Sequence, residues 1–279
     1  MQHWVETRRT RPPTPTRWWY VTLAFGIATL LFGFHLEQVF PPTGHAIAPG
    51  YGVPVLAFEF ARGQEDLVAI FGPDSDPAQV VRLAAMRTGN ERDYLYMLFY
   101  AGFLASGCIA LFCDLRLRPL LAAAVVPVFA ALCDAYENAL LFDIQAAYTL
   151  GDYSPAMASL PGPVSAKFLA LAATNVAIGL ALTRIGRWWG LFGTLVILAA
   201  IPTIMALIAP AAFGWALVPS TGAGWIVLLA VAATGSWAAL VQKRPLVDYA
   251  APVLRRRVAD EAPLVRAPRP LFGRRKPGR

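Results

Sequence analysis

The amino-acid sequence predicts an all-α, polytopic transmembrane helix bundle with about six spans. Hydrophobic residues make up 57% of the 279 residues and charged residues only 15%, whereas soluble domains average about 25% charged residues. The hydrophobic residues form continuous stretches, and a helix that crosses a bilayer needs roughly 20 mostly apolar residues. They lack the alternation expected of barrel strands. This composition excludes a disordered chain, a coiled coil and an ordinary water-soluble enzyme.

The apolar stretches divide the chain into three parts. Residues 1–17 form a basic N-terminus, residues 18–242 a membrane domain, and residues 243–279 a basic, Pro-rich tail. The predicted spans are about 18–34, 93–112, 120–141, 164–185, 188–208 and 225–241. Because the bilayer core offers no water to backbone polar groups, each stretch is expected to be helical.

The distribution of charge predicts the orientation of the chain. The net charge of +7 combines +3 in residues 1–17, +8 in residues 243–279 and −4 in the remainder. Lys and Arg concentrate in cytoplasmic segments, so both termini are expected in the cytoplasm. Segment 35–92, with seven acidic residues against four Arg, is expected outside. We therefore predict a multi-pass membrane protein with both termini on the cytoplasmic side.

The outer segment 35–92 contains patterns typical of short amphipathic helices. The run 55–71 is apolar with interspersed charges. Residues 76–79, with the sequence Asp-Pro-Ala-Gln, have the start signal of a further helix, which we expect to end at Gly89, with Asn90 capping the second span. Such helices would lie on the outer membrane surface or cap the bundle.

Polar side chains within the apolar spans gather at one predicted depth near the outer boundary. Ionisable residues in spans are costly and are candidates for function. Three of them share one face of the third span through i, i+3, i+4 spacing, and the others begin the second and fourth spans at the same level. The candidate cluster comprises Asp93, Asp134, Glu137, Asn138 and Lys167.

This cluster has two interpretations. Three acids to one Lys leave an excess of negative charge, and unpaired buried charge is expensive. The first interpretation is therefore an outward-facing pocket for a cation, a proton, an amine or a lipid headgroup. The second is a satisfied polar network that locks three helices together. In either case we expect Tyr94 or Tyr96 to supply a further hydrogen bond.

Motifs of known catalytic sites are absent from the sequence. It contains no GxSxG, no HExxH and no phosphate-binding glycine loop. The three Cys lie in apolar stretches without CxxC spacing, so neither a disulfide framework nor a zinc site is indicated. We expect no cofactor and no metal, and a non-enzymatic protein is favoured.

Four short elements resemble, in order, those of an uncharacterised family of bacterial polytopic membrane proteins. They are Phe58-Glu59-Phe60-Ala61, Asp93-Tyr94-Leu95-Tyr96 with Tyr100, Asp134-Ala135-Tyr136-Glu137-Asn138, and Lys167-Phe168. The D-x-x-E-N element in a transmembrane helix is the most specific of them, and the resemblance covers residues 18–185. The family has no assigned activity, so the resemblance implies no mechanism and only emphasises the same polar residues.

The basic tail predicts contact with the membrane surface. Anionic headgroups attract each nearby basic residue by about 1 kcal/mol, and docking to a membrane-protein partner is the alternative. The candidate contact residues are Arg255, Arg256, Arg257, Arg274, Arg275 and Lys276. Nucleic-acid binding is not expected, because the tail has neither aromatic interleaving nor a binding fold.

Three classes of function are compatible with these features. The favoured one is a non-enzymatic accessory, assembly or structural subunit of a larger membrane complex. The second is a small transporter or a ligand- or lipid-binding protein that uses the polar cluster, although the sequence has no inverted repeat. The third is a lipid-modifying membrane enzyme, which the absence of a nucleophile or metal set disfavours.

Overall fold

The fold is a bundle of helices. The computed structural model describes residues 16–152 and 154–246. Within these ranges there is no β-strand, and six helical segments are long and apolar enough to cross a membrane. The predicted all-α, six-span architecture is confirmed.

The helices vary widely in length. In chain order they are α1 (Trp18–Val39), α2 (Pro54–Glu59), α3 (Gln64–Phe71), α4 (Gln79–Leu115), α5 (Pro119–Ala123), α6 (Val126–Thr149), α7 (Ala156–Ser159), α8 (Pro161–Leu182), α9 (Arg187–Leu198), α10 (Ala200–Ile208), α11 (Pro210–Phe213) and α12 (Leu217–Trp237). The six spans are α1, α4, α5 with α6, α7 with α8, α9 with α10, and α11 with α12. Short 3-10 turns at Pro49–Tyr51 and Gly214–Ala216 and a π-helix at Ala238–Gln242 complete the described helical segments.

Two helices organise the bundle. The long helix α4 packs along α1 and α6, and α8 contacts α6, α9 and α12. The core between them is aliphatic and aromatic, with Trp19, Phe103, Leu104 and Leu228 almost completely buried. Much of the remaining apolar surface faces outward, as expected where lipid rather than protein covers a helix.

The second span is one unbroken helix of 37 residues. The prediction of a separate helix ending at Gly89, with Asn90 as a cap, is wrong. The Phe40 ring packs against Gly89 and leaves no room for a β-carbon there, and Asn90 is buried in mid-helix. Helix α4 thus runs through a residue that costs a helix about 1 kcal/mol relative to Ala, and the contact with Phe40 accounts for a glycine at this position. The helix ends at Leu115, and the backbone of the following Arg116 is left-handed.

Other spans also extend beyond their predicted ends. The first span continues to Val39 rather than to residue 34, and the third continues to Thr149 rather than to residue 141. The connection 209–224 is helical, since it contains α11 and the first two turns of α12. Hydropathy detects only the most apolar part of a helix, and the extensions of the first and third spans carry polar or charged residues such as His35, Glu37 and Asp143.

Residues 40–71, here called the cap, close one end of the bundle. Helices α2 and α3 pack into a second core with the adjoining ends of α6 and α8. Phe58 and Phe71 are fully buried there and meet edge to face, with ring centroids 5.1 Å apart. Phe60 stacks against Phe168 of α8. Of the two arrangements compatible with the sequence, the structure has the one in which this part of segment 35–92 caps the bundle.

A close contact between α8 and α9 supports one prediction about packing. A β-carbon at Gly179 would lie 2.6 Å from the carbonyl oxygen of Gly193, and the reverse distance is 2.5 Å. Since a backbone oxygen cannot yield as a side chain can, Gly179→Ala is expected to destabilise the protein by about 1–3 kcal/mol. Thermal unfolding in detergent measures the change.

The control for this substitution lies on the same helix. A β-carbon at Gly162 would meet no atom within 4 Å. Gly162→Ala should therefore leave the unfolding temperature unchanged or raise it, because alanine favours the helix. Equal effects of the two substitutions would contradict the close contact.

Candidate functional site

The centre of the polar cluster is the amine of Lys167, where the cap meets α6 and α8. Lys167 Nζ lies 3.0 Å from Asp134 Oδ1 and 2.9 Å from both carboxylate oxygens of Glu137. Glu59 Oε2, on the cap helix α2, lies 3.3 Å from the same nitrogen. Three carboxylates from two elements thus surround one amine on a third.

These four side chains are shielded from solvent. The relative exposure of Glu137 is 0%, and the largest in the group is the 8% of Glu59. The face of the Phe168 ring covers Lys167 Nζ at 4.7 Å from its centroid. A lysine ammonium has three N–H donors, and its nearest oxygens are those of the three carboxylates. The arrangement is a closed ionic network.

Side chains of α4 add a second layer of hydrogen bonds. Tyr100 Oη donates to Asp134 Oδ2 at 2.8 Å. Asn138 Nδ2 donates to Asp93 Oδ2 at 3.1 Å and to the carbonyl oxygen of Asn90 at 3.2 Å. The structure therefore brings together all five candidate residues, with Asp93 joined to the network through Asn138.

Two members of the site were not among the sequence candidates. Glu59 is the only charged residue between Val53 and Ala61, and a lone acid in an apolar run was the available signal. The prediction that Tyr94 or Tyr96 supplies the further hydrogen bond was wrong. Tyr94 donates to the carbonyl oxygen of Ala135, and Tyr100 is the tyrosine that bonds to the cluster. Tyr100 reaches Asp134 because it lies about two helical turns from Asp93 on the same face.

A separate set of polar contacts holds the edge of the cap. Asp76 accepts a hydrogen bond from Arg82 and lies 2.8 Å from Nδ1 of His45. Its other oxygen accepts from the backbone N–H of Ala78 at 2.9 Å. That backbone hydrogen bond, with the help of Arg82 and His45, lowers the pKa of the Asp76 carboxyl. The start of α4 is thereby tied to the cap.

The opposite end of the bundle has a different polar contact. Trp19 Nε1 donates to Asp114 Oδ2 at 3.0 Å, and the backbone N–H of Leu246 donates to the same oxygen at 3.2 Å. This carboxylate joins α1 and the chain beyond α12 to the end of α4. It lies far along α4 from Asp93 and belongs to no part of the cluster around Lys167.

A groove of about 630 Å³ lies beside the cap, between the first turns of α4 and the last turns of α6. Its polar lining includes Gln79, Arg87 and Gln145. Gln145 Nε2 donates to the carbonyl oxygen of Leu83 at 2.7 Å and so joins the two helices. The groove is open, in contrast to the enclosed network around Lys167.

The pH dependence of the cap follows from Glu59. Burial raises the pKa of its carboxyl above the ordinary 4.5, Lys167 opposes the shift, and Asp134 adds to it. A raised folded pKa means that the folded protein binds the proton more tightly than the unfolded chain. The contribution of Glu59 to cap stability is thus greatest at acidic pH and is lost as the pH rises through the folded pKa.

Amide hydrogen exchange of α2 should show this loss of stability with rising pH. The exchange rates are converted to protection factors, which correct for the pH dependence of the intrinsic rates. Protection should fall with rising pH in the native protein and should become flatter in Glu59→Gln. Glu65→Gln, an exposed acid on α3, should retain the native trend. Protection that rises with pH would contradict the assignment.

Two further predictions from the sequence concern a metal site and the basic tail. Within residues 16–152 and 154–246, no group of three or more His, Cys, Asp or Glu is arranged to hold a metal ion. The candidate lipid or partner contacts Arg255, Arg256, Arg257, Arg274, Arg275 and Lys276 lie outside the described residues.

The fold and the site define an integral membrane protein with six candidate spans and a buried ionic network beneath a folded cap. No family model, no curated protein and no solved structure matches the chain.

Proposed function

We propose that this protein is a non-enzymatic accessory, assembly or structural subunit of a larger complex in the bacterial plasma membrane. One observation carries the proposal: the charged residues that could have formed an open ligand site are bonded to one another and buried. Glu59, Asp134 and Glu137 all lie within 3.3 Å of Lys167 Nζ. Their role is to seat the cap on the spans, which gives the protein a fixed outer surface.

Apolar side chains beyond the membrane supply the contact surface in this proposal. Val80 and Val81, in the first turn of α4, are 71% and 69% exposed. Val80 lies roughly 52 Å along the helix from Leu115, whereas the hydrocarbon core is about 30 Å thick. Even a tilt of about 40° leaves these valines outside the core. Leu150, at the end of α6, is 78% exposed near the same groove. A partner protein would cover this apolar surface.

Site-specific photo-crosslinking in native membranes tests the proposal. A photoreactive residue replaces Val80, and the matched control replaces Leu132, which is 66% exposed in the middle of the α6 span. We expect a protein adduct of one defined mass at position 80 and only lipid adducts at position 132. The proposal fails if position 80 gives no protein adduct and the chain elutes alone and monodisperse from mild detergent.

The second candidate is a small transporter or ligand-binding protein that uses the cluster around Lys167. The observation in its favour is the excess of carboxylates over amines at a buried site. In proteoliposomes with an internal pH indicator, a transporter would dissipate a pH gradient faster than empty liposomes do. Glu137→Gln would abolish that flux, and Glu91→Gln, an exposed acid paired with Arg87 on α4, would leave it intact. An accessory subunit would give no flux above that of empty liposomes.

A further inference from the structure

The buried network contains more negative than positive groups. Lys167 is the one amine among the described side chains that touch Glu59, Asp134 and Glu137. Asp93 adds a fourth carboxyl through Asn138. If every group were ionised, the network would bury a net charge of several units, and uncompensated buried charge is strongly unfavourable. Some of these carboxyls must therefore hold protons.

Among the carboxylates around Lys167, Asp134 has hydrogen-bond donors at both of its oxygens. Both oxygens of Asp134 accept a hydrogen bond, one from Lys167 Nζ and one from Tyr100 Oη. An ionised carboxylate is an acceptor only, so Asp134 has what it needs as an anion. Asp134 and Lys167 together form a neutral, hydrogen-bonded ion pair.

The two glutamates are incompletely satisfied. Glu59 Oε2 and Glu137 Oε2 are buried, and neither accepts a hydrogen bond. Both oxygens contact the same nitrogen, Lys167 Nζ, at 3.3 Å for Glu59 and 2.9 Å for Glu137. A proton on either oxygen would make that group a donor, and it would remove one unit of the excess charge.

A metal cation would suit this position less well than a proton. The ammonium of Lys167 occupies the centre of the carboxylates and would repel a second cation. The charged and titratable groups that face the glutamates are Asp93 and Tyr100 from α4, Asp134 from α6, and Lys167 from α8. None of these groups provides an additional carboxylate ligand for a metal cation between the two glutamates.

We propose that Glu59 and Glu137 together form a binding site for one exchangeable proton. The proton comes from bulk water, and an O–H bond forms on one glutamate while the other accepts the hydrogen bond. Glu59 is the member of the network carried by the cap, whereas the other carboxyls lie on spans. The side chain of Glu59 is also the most exposed of those around Lys167, at 11%, so the proton enters and leaves the site through the cap. This inference does not depend on the presence of a protein partner.

Infrared spectroscopy of the purified full-length chain in detergent tests the proposal. At neutral pH, the native protein should show the carbonyl band of a protonated carboxyl group, which shifts on transfer to deuterated water. Glu59→Gln should abolish or shift this band, because Gln can no longer share a proton with Glu137. Glu91→Gln should leave the band unchanged.

Three results would overturn the proposal. The first is the absence of a protonated-carboxyl band from the native protein at neutral pH. The second is an identical band in Glu59→Gln, which would assign the proton elsewhere, for instance to Asp93. The third is a band that appears only when sodium is replaced by a large organic cation, which would identify a sodium site. If Glu137→Gln accumulates, it should also lose the band. If it does not accumulate, Glu59→Gln alone tests the proposal.

Discussion

Replacing Lys167 with Met is expected to have the largest effect of any single substitution in this protein. Methionine fills much of the same space, but it leaves Glu59, Asp134 and Glu137 buried without a counter-charge. Removing one partner of a buried ion pair costs about 3–5 kcal/mol. Total stabilities are only about 5–15 kcal/mol, so the variant should accumulate poorly at neutral pH. Its level in membranes and its unfolding temperature in detergent measure the effect.

Two controls separate loss of charge from loss of packing. Arg87→Met removes a cation that is 64% exposed and should change stability by less than about 0.5 kcal/mol. Combining Lys167→Met with Asp134→Asn and Glu137→Gln neutralises two of the three unpaired carboxylates and should restore part of the lost stability. If Lys167→Met and Arg87→Met were equally stable, the ionic network would contribute nothing to the fold.

Replacing Phe58 with Ala is expected to have the second largest effect, and a local one. Phe58 is fully buried in the cap and packs edge to face on Phe71. Truncating a buried Phe to Ala costs about 3–5 kcal/mol. Because the spans retain their own core, we expect the cap to detach while the helices persist. Protease sensitivity and hydrogen exchange within residues 54–71 should rise, and the helical circular dichroism should change little.

Smaller substitutions provide the comparison for Phe58→Ala. Phe58→Leu keeps most of the apolar volume and should cause a fraction of the loss. Val53→Ala removes a side chain that is 40% exposed and should have little effect. If Phe58→Ala left the cap as protected as in Val53→Ala, the second core would not hold the cap in place.

The sequence was informative about the spans because hydrophobicity is a local property. Six apolar stretches indicate six spans, and the charged residues between them indicate which ends share a side. The full length of α4 was not predictable, because Gly89 and Asn90 look like the end of one helix and the start of another. In the structure the glycine makes room for the ring of Phe40, which comes from a different part of the chain.

The site was predictable only where its residues belong to one helix or to one predicted depth. The spacing of Asp134, Glu137 and Asn138 places them on one face, and the topology places Lys167 at the same level. Glu59 belongs to the cap, and no local pattern shows that a segment outside the spans folds back between two of them. The tertiary packing of Phe58 and its neighbours determines that placement.

The position of Glu59 in the chain also constrains how the protein is made. Its counter-charge, Lys167, follows about 110 residues later, and ribosomes add about 5–20 residues per second. For roughly 5–20 s after Glu59 is made, the residues around it therefore lack the amine that completes their final environment. Completion of this ionic contact must follow synthesis of the fourth span, so residues 40–71 reach their native position only after a part of the chain made about 100 residues later.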